Sequence, residues 1–356
     1  MYSLGNLAES PTTVLEPLVE VSHRNGEVSL AERLQEIKLW LADDLAVLEQ
    51  DIRGTRSSEG DLAEKAASHL LHQPGKRIRP LCVVLAARIG DAAMCADIRS
   101  LAVACELVHA ATLLHDDVLD EGTERRGAKA SRVLYGNSAS ILGGDCLLIE
   151  ALKRVQSTGR HALLGHLMDV IAVMVQAEAV QLDRRGTFVP DRDQYMAIIS
   201  GKTASIFEWG LRAGGTAGGL GKDHVDALAS FGFNLGMAFQ MADDVLDLGG
   251  DPEVIGKNAF ADLRDGKLTW PLIMACEERP ALEESLKEVA RAPETLTPEG
   301  VRALREQLLE TQCLEKTRLK AQEFAQAAEA ALEKLPASAA TDALKAVVSL
   351  AVNRCM

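Results

Sequence analysis

Residues 113–127 read LLHDDVLDEGTERRG, with three aspartates in an apolar run, followed by two arginines and a glycine. On a helix, Asp116 and Asp120 share one face, and Asp117 lies about 100° around the axis. Like charges at this spacing destabilise a helix slightly, and burying them costs far more. The stretch therefore predicts an apolar helix whose charged end needs a cation to offset it.

The same block returns far downstream in FQMADDVLDLGGD, residues 239–251, with Asp243, Asp244 and Asp247. A single block of this kind could be no more than a solvated helix end. Two copies near the C-terminal ends of apolar helices, where the helix dipole disfavours carboxylates, indicate that the charge is used. Carboxylate clusters suit Mg²⁺, which keeps ligand positions for water and phosphate. The two blocks could face each other across the interior of a helical bundle.

The composition favours helices. The chain has 356 residues, of which 47% are hydrophobic but only 4% aromatic, and Ala and Leu abound. No segment alternates as a strand does, and no linker is rich enough in Gly or Pro to split the chain. We expect an all-α fold, a single large helical domain over 29–356 preceded by a loosely ordered leader, 1–28. Helices are expected at 29–48, 270–290 and 312–356, among others.

Charge and sequence pattern exclude several classes of protein. A formal net charge of −14 makes a general nucleic-acid binder improbable. The seven scattered cysteines form no CxxC pair and are interpreted as reduced thiols. The N-terminus does not resemble a signal peptide, and no run approaches the ~20 apolar residues of a membrane span. We therefore expect a cytoplasmic protein without a transmembrane segment.

Basic residues are grouped in four places, beside glycine in each case. A lysine next to a glycine can approach a phosphate together with the backbone, and arginine binds phosphate oxygens in pairs. Together with the acidic blocks, these groups suggest two polyphosphates held by metal and by cations. They are GKRIRP (Lys76, Arg77, Arg79), RRG (Arg125, Arg126), GKTAS (Lys202, Thr203) and GKNAFADLRDGK (Lys257, Lys267).

An ordered set of motifs over about 62–272 resembles the trans-isoprenyl diphosphate synthases, the polyprenyl synthetase family. They are GKRIRP, ELVHAATLLHDDVLD, RRG, GNSASILGGD, GKTAS, LGMAFQMADDVLD and GKNAFADLRDGKLTWP. The resemblance implies a helical bundle around a central cavity. It implies Mg²⁺-dependent condensation of isopentenyl diphosphate with an allylic diphosphate. Pro74 and Trp270 depart from the family pattern, which often has a second glycine and a smaller apolar residue there.

The resemblance also implies roles for individual residues. The residues expected to be catalytic are Asp116, Asp117, Asp120, Lys202, Asp243 and Asp244, with Asp116, Asp120 and Asp243 as Mg²⁺ ligands. Those expected to hold the diphosphate of isopentenyl diphosphate are Lys76, Arg79, His109 and Arg126. Those expected to hold the allylic diphosphate are Arg125, Lys202 and Lys257. Gln240 and Thr203 would line the site near the reacting carbons, and Lys267 matches a late lysine of the family.

Some residues in or near these motifs could instead have a purely structural role. His109 would otherwise be interpreted as a satisfied core histidine, and His115 as a packing residue that supports the aspartates. Glu178 and Gln181 could be hydrogen-bonding residues of a helix interior, and Asp262 could shape its loop.

Product length is suggested by the residues before the first aspartate block. In the family, large aromatic residues there stop chain growth, whereas here Val108, Ala111 and Thr112 are not aromatic. We therefore expect a long-chain product. The alternatives are a short-chain geranylgeranyl or farnesyl synthase, a terpene cyclase and a non-catalytic partner subunit; a helical repeat scaffold ranks lowest. The resemblance further implies a homodimer, with peripheral membrane contact conceivable.

An aromatic side chain at Ala111 or Thr112 tests the tunnel hypothesis. We expect Ala111→Phe and Thr112→Phe to shorten the product, because the ring would close the floor of the product site. Chromatography of the dephosphorylated product measures its length. An unchanged chain length in both variants would contradict an open tunnel at this point.

Overall fold

The computed structural model describes residues 28–249, 260–292, 295 and 297–353. Within these residues the regular structure is helical apart from one short hairpin, which confirms the all-α class. Cα distances divide the chain into two compact units, one within 1–85 and 93–159 and the other within 86–92 and 160–356. The single domain over 29–356 stays a prediction. The leader lies outside the described residues except for Val28, which is already helical.

The first unit is built from seven helices and a hairpin among its described residues; residues of α4 from 86 onward belong to the second unit. The elements are α1 (Val28–Trp40), α2 (Ala42–Arg53), α3 (Leu62–His72), α4 (Ile78–Ile89), α5 (Ala96–Leu119), β1 (Glu124–Arg125), β2 (Ala128–Lys129), α6 (Ser131–Tyr135) and α7 (Asn137–Ser157).

Helix α5 is the core of the first unit and carries the first aspartate block at its C-terminal end. It is apolar around most of its circumference, as expected of a helix buried on several sides. It packs chiefly against α7, where Gly144 leaves room for the ring of His115. His115 Nε2 lies 3.1 Å from the carbonyl oxygen of Ile141 and 3.3 Å from Asp145 Oδ1. This contact agrees with the interpretation of His115 as a packing residue.

The hairpin of β1 and β2 was not expected, because two-residue strands leave no alternation to detect. Arg125 pairs with Ala128, so Arg126 and Gly127 form the connecting turn. Both turn residues have positive φ, 53° and 78°, which is typical of a tight type I′ turn. The sequence RRG therefore folds so that one arginine lies on a strand and the next at the turn.

Among the described residues of the second unit, all of the regular structure is helical. Its helix α10 packs against α11, and α11 also packs along α16. The elements are α8 (His161–Arg184), α9 (Arg192–Ile199), a π-turn (Ser200–Ala204), α10 (Ser205–Ala217), α11 (Lys222–Gly249), α12 (Ala261–Arg264), α13 (Trp270–Glu278), α14 (Leu282–Arg291), α15 (Pro298–Glu310), α16 (Cys313–Leu332) and α17 (Ala339–Asn353).

Close packing at two glycines, one on each side, holds the π-turn between α9 and α10. A Cβ on Gly236 of α11 would lie 2.6 Å from the Cα of Ala204. A Cβ on Gly201 itself would lie 2.9 Å from the Cβ of Ala177 on α8. Single π-turns inside helices are rare and frequently mark functional sites. Here the turn carries Lys202 and Thr203.

Three predicted helices are interrupted. The segment 29–48 breaks at Leu41. In the segment 270–290 the first helix ends before Pro280, and the segment 312–356 is divided near Pro336. Both breaks occur because proline lacks the amide hydrogen that a helix interior needs.

Two described helices, α5 and α8, have the length and composition of a membrane-spanning helix. The expected absence of a transmembrane segment stays a prediction. Buried core helices of soluble proteins have the same character, and the apolar window of α5 is 67% buried. The window of α8 is only 28% buried, so α8 leaves an apolar surface.

A methyl group at Gly236 should disturb the π-turn. We expect Gly236→Ala to lower the free energy of unfolding by about 1–3 kcal/mol, because the contact is with backbone and no side chain can move aside. Urea unfolding followed by circular dichroism measures the change.

The matched control is Gly165→Ala on α8, where nothing lies within 4 Å of the added Cβ. This variant should be neutral or slightly stabilising, because alanine is the better helix former. An equal loss of stability in both variants would contradict the assigned role of Gly236.

Candidate active site

The first aspartate block separates its three carboxyl groups by environment. Asp116 and Asp120 are partly exposed, whereas Asp117 is only 1% exposed. Asp117 Oδ1 accepts a hydrogen bond from Arg125 Nε at 2.9 Å, and its Oδ2 has no hydrogen-bond partner among the described residues. The middle aspartate is therefore a buried partner of Arg125, and the outer pair keeps the accessible oxygens.

His109 lies among four arginines of the first unit, which we call the arginine cluster (Arg77, Arg79, Arg125 and Arg126). Burial lowers the pKa of His109 well below its usual value, and the four guanidinium charges lower it further. Both effects favour the neutral imidazole. It can donate one N–H to an anion but adds no positive charge.

Arg126 comes close to the backbone of the GKRIRP segment. A Cβ on Gly75 would lie 2.7 Å from Arg126 Nη1, so a larger residue there would displace this guanidinium. Burial lowers the pKa of Arg126, the charge of Glu106 raises it, and Arg77, Arg125 and Arg79 lower it again. This concentration of repelling positive charge is the environment expected of an anion-binding site.

Arg77 is structural, although it stands in the same basic segment as Lys76 and Arg79. Its Nη1 donates to Glu106 Oε1 at 2.7 Å and its Nε to Glu49 Oε2 at 3.0 Å. Its Nη2 donates to the carbonyl oxygen of Leu71 at 2.8 Å. Burial alone would lower the pKa of Arg77, but Glu106 and Glu49 raise it overall. Arg77 also has φ 46°, so its side chain turns into the core.

In the second unit, one cavity brings together several residues predicted from separate motifs. Its lining includes Lys202, Thr203, Gln240, Asp244 and Lys267, and it also includes Gln181, Tyr195 and Asp262. Lys257 lies outside the described residues. The cavity therefore joins GKTAS, the second aspartate block and the late lysine.

The second aspartate block repeats the arrangement of the first. Asp243 and Asp247 are partly exposed, whereas Asp244 is 1% exposed. Asp244 accepts hydrogen bonds from the Tyr195 hydroxyl, from the backbone N–H of Trp270 at 3.2 Å and from Gln240 Nε2 at 3.1 Å. Both of its oxygens are thus occupied by protein donors.

Carboxyl groups crowd around this block. Burial and the charge of Asp262 raise the pKa of Asp244 to about 8 and that of Asp247 to about 7. Burial also raises the pKa of Asp262, as do Asp265 and Asp243, whereas Lys267 and Lys202 lower it. Asp262 thus lies among other charged groups, and the interpretation that it shapes its loop stays a prediction. Crowded carboxylates of this kind are stabilised by a cation.

The oxygen donors fit a divalent metal that takes few protein ligands. Asp247 Oδ1 accepts from the N–H of Ala261 at 2.9 Å, and its buried Oδ2 has no partner within the described residues. No group of three or more His, Cys, Asp or Glu in the described chain is placed to hold a metal alone. Mg²⁺ is commonly bound by one or two carboxylates, with water and phosphate completing the shell.

Lys202 is oriented by two residues of α8. Its Nζ donates to Glu178, and to Gln181 Oε1 at 3.1 Å. Glu178 and Gln181 are therefore hydrogen-bonding residues, as the structural alternative proposed, but their partner is a predicted substrate ligand. Lys267 Nζ lies 3.2 Å from Asp265 Oδ2, so both lysines are held by acidic or amide groups.

Other positioning residues were missed from the sequence. Tyr195 looks like an ordinary core aromatic, although it precedes Lys202 by seven residues, the spacing of two helical turns. Glu106 is a lone acid in an apolar run of α5, which is the signal that could have identified it as the partner of a buried cation.

The three residues predicted to control chain length differ in accessibility. Val108 and Ala111 are fully buried at 0% exposure, whereas Thr112 is partly exposed. Thr112 Oγ1 donates to the carbonyl oxygen of His109 at 2.8 Å. Of the three, Thr112 offers the surface that a growing chain could contact.

A helical fold with two aspartate blocks and nearby cation clusters defines a class of metal-dependent diphosphate-binding enzymes. Residues 61–308 match the family described as "Polyprenyl synthetase". The chain belongs to the polyprenyl synthetase family and is a trans-prenyltransferase, which confirms the resemblance. Enzymes of this family use divalent metal ions.

Curated and solved relatives agree with this assignment. The chain is 34% identical to octaprenyl diphosphate synthase of Escherichia coli over 330 residues, 90% of this chain and 99% of that protein. It matches the structure of a decaprenyl diphosphate synthase from Rhodobacter capsulatus with a TM-score of 0.83 and 34% identity, covering 90% of this chain and 99% of the other.

A third relative was solved with ligands. The polyprenyl synthase of Caulobacter crescentus, complexed with calcium and isoprenyl diphosphate, matches with a TM-score of 0.82 and 35% identity, covering 90% of this chain and 97% of that one.

Removing Arg77 should cost stability. Arg77→Met leaves Glu106, 3% exposed, without its cation. We expect a loss of about 3–5 kcal/mol in the free energy of unfolding, because an unpaired buried charge is expensive. Urea unfolding measures it.

The control for this prediction is Arg53→Met, which removes the other arginine bonded to Glu49. Arg53 is 33% exposed, so its loss should cost less than about 1 kcal/mol. Similar losses in the two variants would show that Arg77 is no more than a surface partner.

Proposed function

We propose that this chain is a Mg²⁺-dependent long-chain polyprenyl diphosphate synthase. It condenses isopentenyl diphosphate head to tail with an allylic diphosphate and releases diphosphate. The observation that supports this most strongly is the repeated arrangement of the two aspartate blocks. In each, a buried middle aspartate accepts hydrogen bonds from protein donors, and the outer aspartates are partly exposed.

The arginine cluster fits the diphosphate of isopentenyl diphosphate. Arg79 and Arg126 supply charge, neutral His109 supplies an N–H, and Lys76 is exposed at the edge of the segment. Holding the diphosphate in a fixed place positions the double bond, and positioning supplies much of the rate acceleration in such reactions.

The allylic diphosphate would be held by Arg125, Lys202 and Lys257 and through metal. Asp116, Asp120 and Asp243 are the proposed ligands of Mg²⁺, which when bound neutralises the leaving diphosphate. The C–O bond of the allylic substrate breaks and leaves an allylic carbocation, stabilised by pre-placed dipoles. The double bond of isopentenyl diphosphate attacks this carbon, and the released diphosphate takes the proton then lost.

The relatives favour a long-chain product over the short-chain alternative. Two of those described above are named for octaprenyl and decaprenyl diphosphate synthesis. The small side chains before the first aspartate block agree with this preference. A cyclase is disfavoured because the chain keeps both aspartate blocks and the GKRIRP segment.

We further propose a cytoplasmic homodimer with at most peripheral membrane contact. Helix α8 exposes Met168, Val173 and Val175, and a second copy could remove this apolar surface from water. Light scattering of the purified protein tests the dimer, and a monomeric mass would contradict it. Recovery in the salt-washed membrane fraction of cells would contradict the location.

The product assay tests the function directly. Purified protein is mixed with Mg²⁺, radiolabelled isopentenyl diphosphate and, in separate reactions, each allylic primer from dimethylallyl to geranylgeranyl diphosphate. We expect a ladder ending at a long polyprenol after dephosphorylation. EDTA should abolish the products, and added Mg²⁺ should restore them.

Other outcomes would separate the alternatives. A short product would keep the synthase and reject the long-chain assignment. Loss of diphosphate from the primer alone would indicate a cyclase. No reaction with any primer would favour the non-catalytic partner subunit.

A further inference from the structure

Tyr195 joins three elements of the second unit at a single carboxylate. It lies on α9, is 7% exposed, and donates its hydroxyl hydrogen to Asp244 Oδ2. The backbone N–H of Trp270, at the start of α13, donates to the same oxygen at 3.2 Å. The rings of Tyr195 and Trp270 pack with centroids 5.5 Å apart, which fixes the tyrosine hydroxyl beside α11.

Two hydrogen bonds connect the other oxygen of Asp244 to the lining of the cavity. Asp244 Oδ1 accepts from Gln240 Nε2 at 3.1 Å, and Gln240 Oε1 accepts from Thr203 Oγ1 at 2.9 Å. Asp244 Oδ1 thus holds the NH₂ end of the Gln240 amide. The carbonyl end of that amide must then lie on the Thr203 side, where the cavity is.

Asp244 therefore acts through its neighbours. Two donors occupy its Oδ2 and a third occupies its Oδ1, so neither oxygen is turned toward a metal as those of the more exposed Asp243 can be. What this carboxylate determines is the orientation of the Gln240 amide.

We propose that Tyr195 is a positioning residue for the condensation reaction, acting through Asp244 to keep the carbonyl oxygen of Gln240 directed into the cavity. This inference rests on the proposed synthase function. No contact of Tyr195 with substrate is needed.

The orientation of the amide matters for the charge of the reaction. A carbonyl oxygen carries partial negative charge and stabilises a developing carbocation, whereas an amide N–H would oppose it. Without the tyrosine hydroxyl, the Asp244 carboxylate can rotate, and the amide of Gln240 can turn over. The loss should appear in kcat, because the positive charge develops only in the transition state.

The test is Tyr195→Phe, which removes the hydroxyl and retains the ring that packs on Trp270. We expect kcat to fall by about ten- to a hundredfold, the scale of leaving one buried acceptor without its hydrogen-bond donor. The KM for isopentenyl diphosphate should stay within about twofold, because the arginine cluster that binds it is untouched. Thermal unfolding of each variant checks that it is folded at the assay temperature.

The matched control is Tyr135→Phe in the first unit. Tyr135 packs edge-on against His69 with centroids 6.0 Å apart, and phenylalanine retains that contact. This variant should keep the wild-type kcat. The wild-type enzyme is assayed beside it, so that failure of the synthase function itself is seen as absence of product in the wild type.

A double-mutant cycle shows whether the effect passes through Asp244. Asp244→Asn has nearly the same shape but offers only one acceptor oxygen, so it disturbs the same hydrogen bonds. We expect Tyr195→Phe to cost little further activity in the Asp244→Asn background.

Three results would overturn the proposal. The first is an unchanged kcat in Tyr195→Phe. The second is additive losses in the double variant. The third is a fall in activity that accompanies a lower unfolding temperature and equal increases in KM for both substrates, since that pattern indicates a residue needed only for packing.

Discussion

The placement of three carboxyl groups within about one turn at the end of a buried helix is the constraint on which both halves of this enzyme depend. In each block the middle aspartate is 1% exposed and would be costly without partners. The first unit supplies Arg125 to Asp117, and the second supplies neutral donors to Asp244. The outer aspartates are partly exposed, and in the proposed function Asp116, Asp120 and Asp243 would offer oxygens to the metal. The repeated sequence thus has a repeated physical solution, with different partners in the two units.

Short irregular elements bring the cations to these blocks. The RRG hairpin places Arg125 where it bonds Asp117 and directs Arg126 toward Gly75. The π-turn of the second unit carries both Lys202 and Thr203. Close contacts at Gly201 and Gly236 hold this turn in place. The aspartates lie at the ends of the long helices α5 and α11, whereas the hairpin and the π-turn carry these cations. Such elements present side chains in directions that a regular helix does not allow.

The helical period predicted most of the helices, and the repeated motif predicted the two aspartate blocks. The sequence also resembles the polyprenyl synthetase family, which implied that Lys202, Thr203, Gln240 and Asp244 gather in one place. It did not separate Arg77 from Arg79. Their difference arises from the positive φ of Arg77 and from a partner, Glu106, that is 29 residues away. Tyr195 was missed for a similar reason, since its hydroxyl meets Asp244 only after α9 and α11 have packed. Local pattern identifies which residues carry charge, whereas tertiary contacts decide which of them remain available to a ligand.

The buried network of Arg77 explains how the first unit tolerates its own positive charge. Arg79, Arg125 and Arg126 repel one another around a neutral His109, and this repulsion opposes folding. Glu106 offsets part of it, because its carboxylate pairs with Arg77 and its charge also raises the pKa of Arg126. The fold therefore brings the arginines together before any anion binds. Packing and the charge of Glu106 offset the free-energy cost of the repulsion between them. In the proposed function, a diphosphate bound there would relieve the remaining repulsion without reorganising the site, and such preorganisation favours both binding and catalysis.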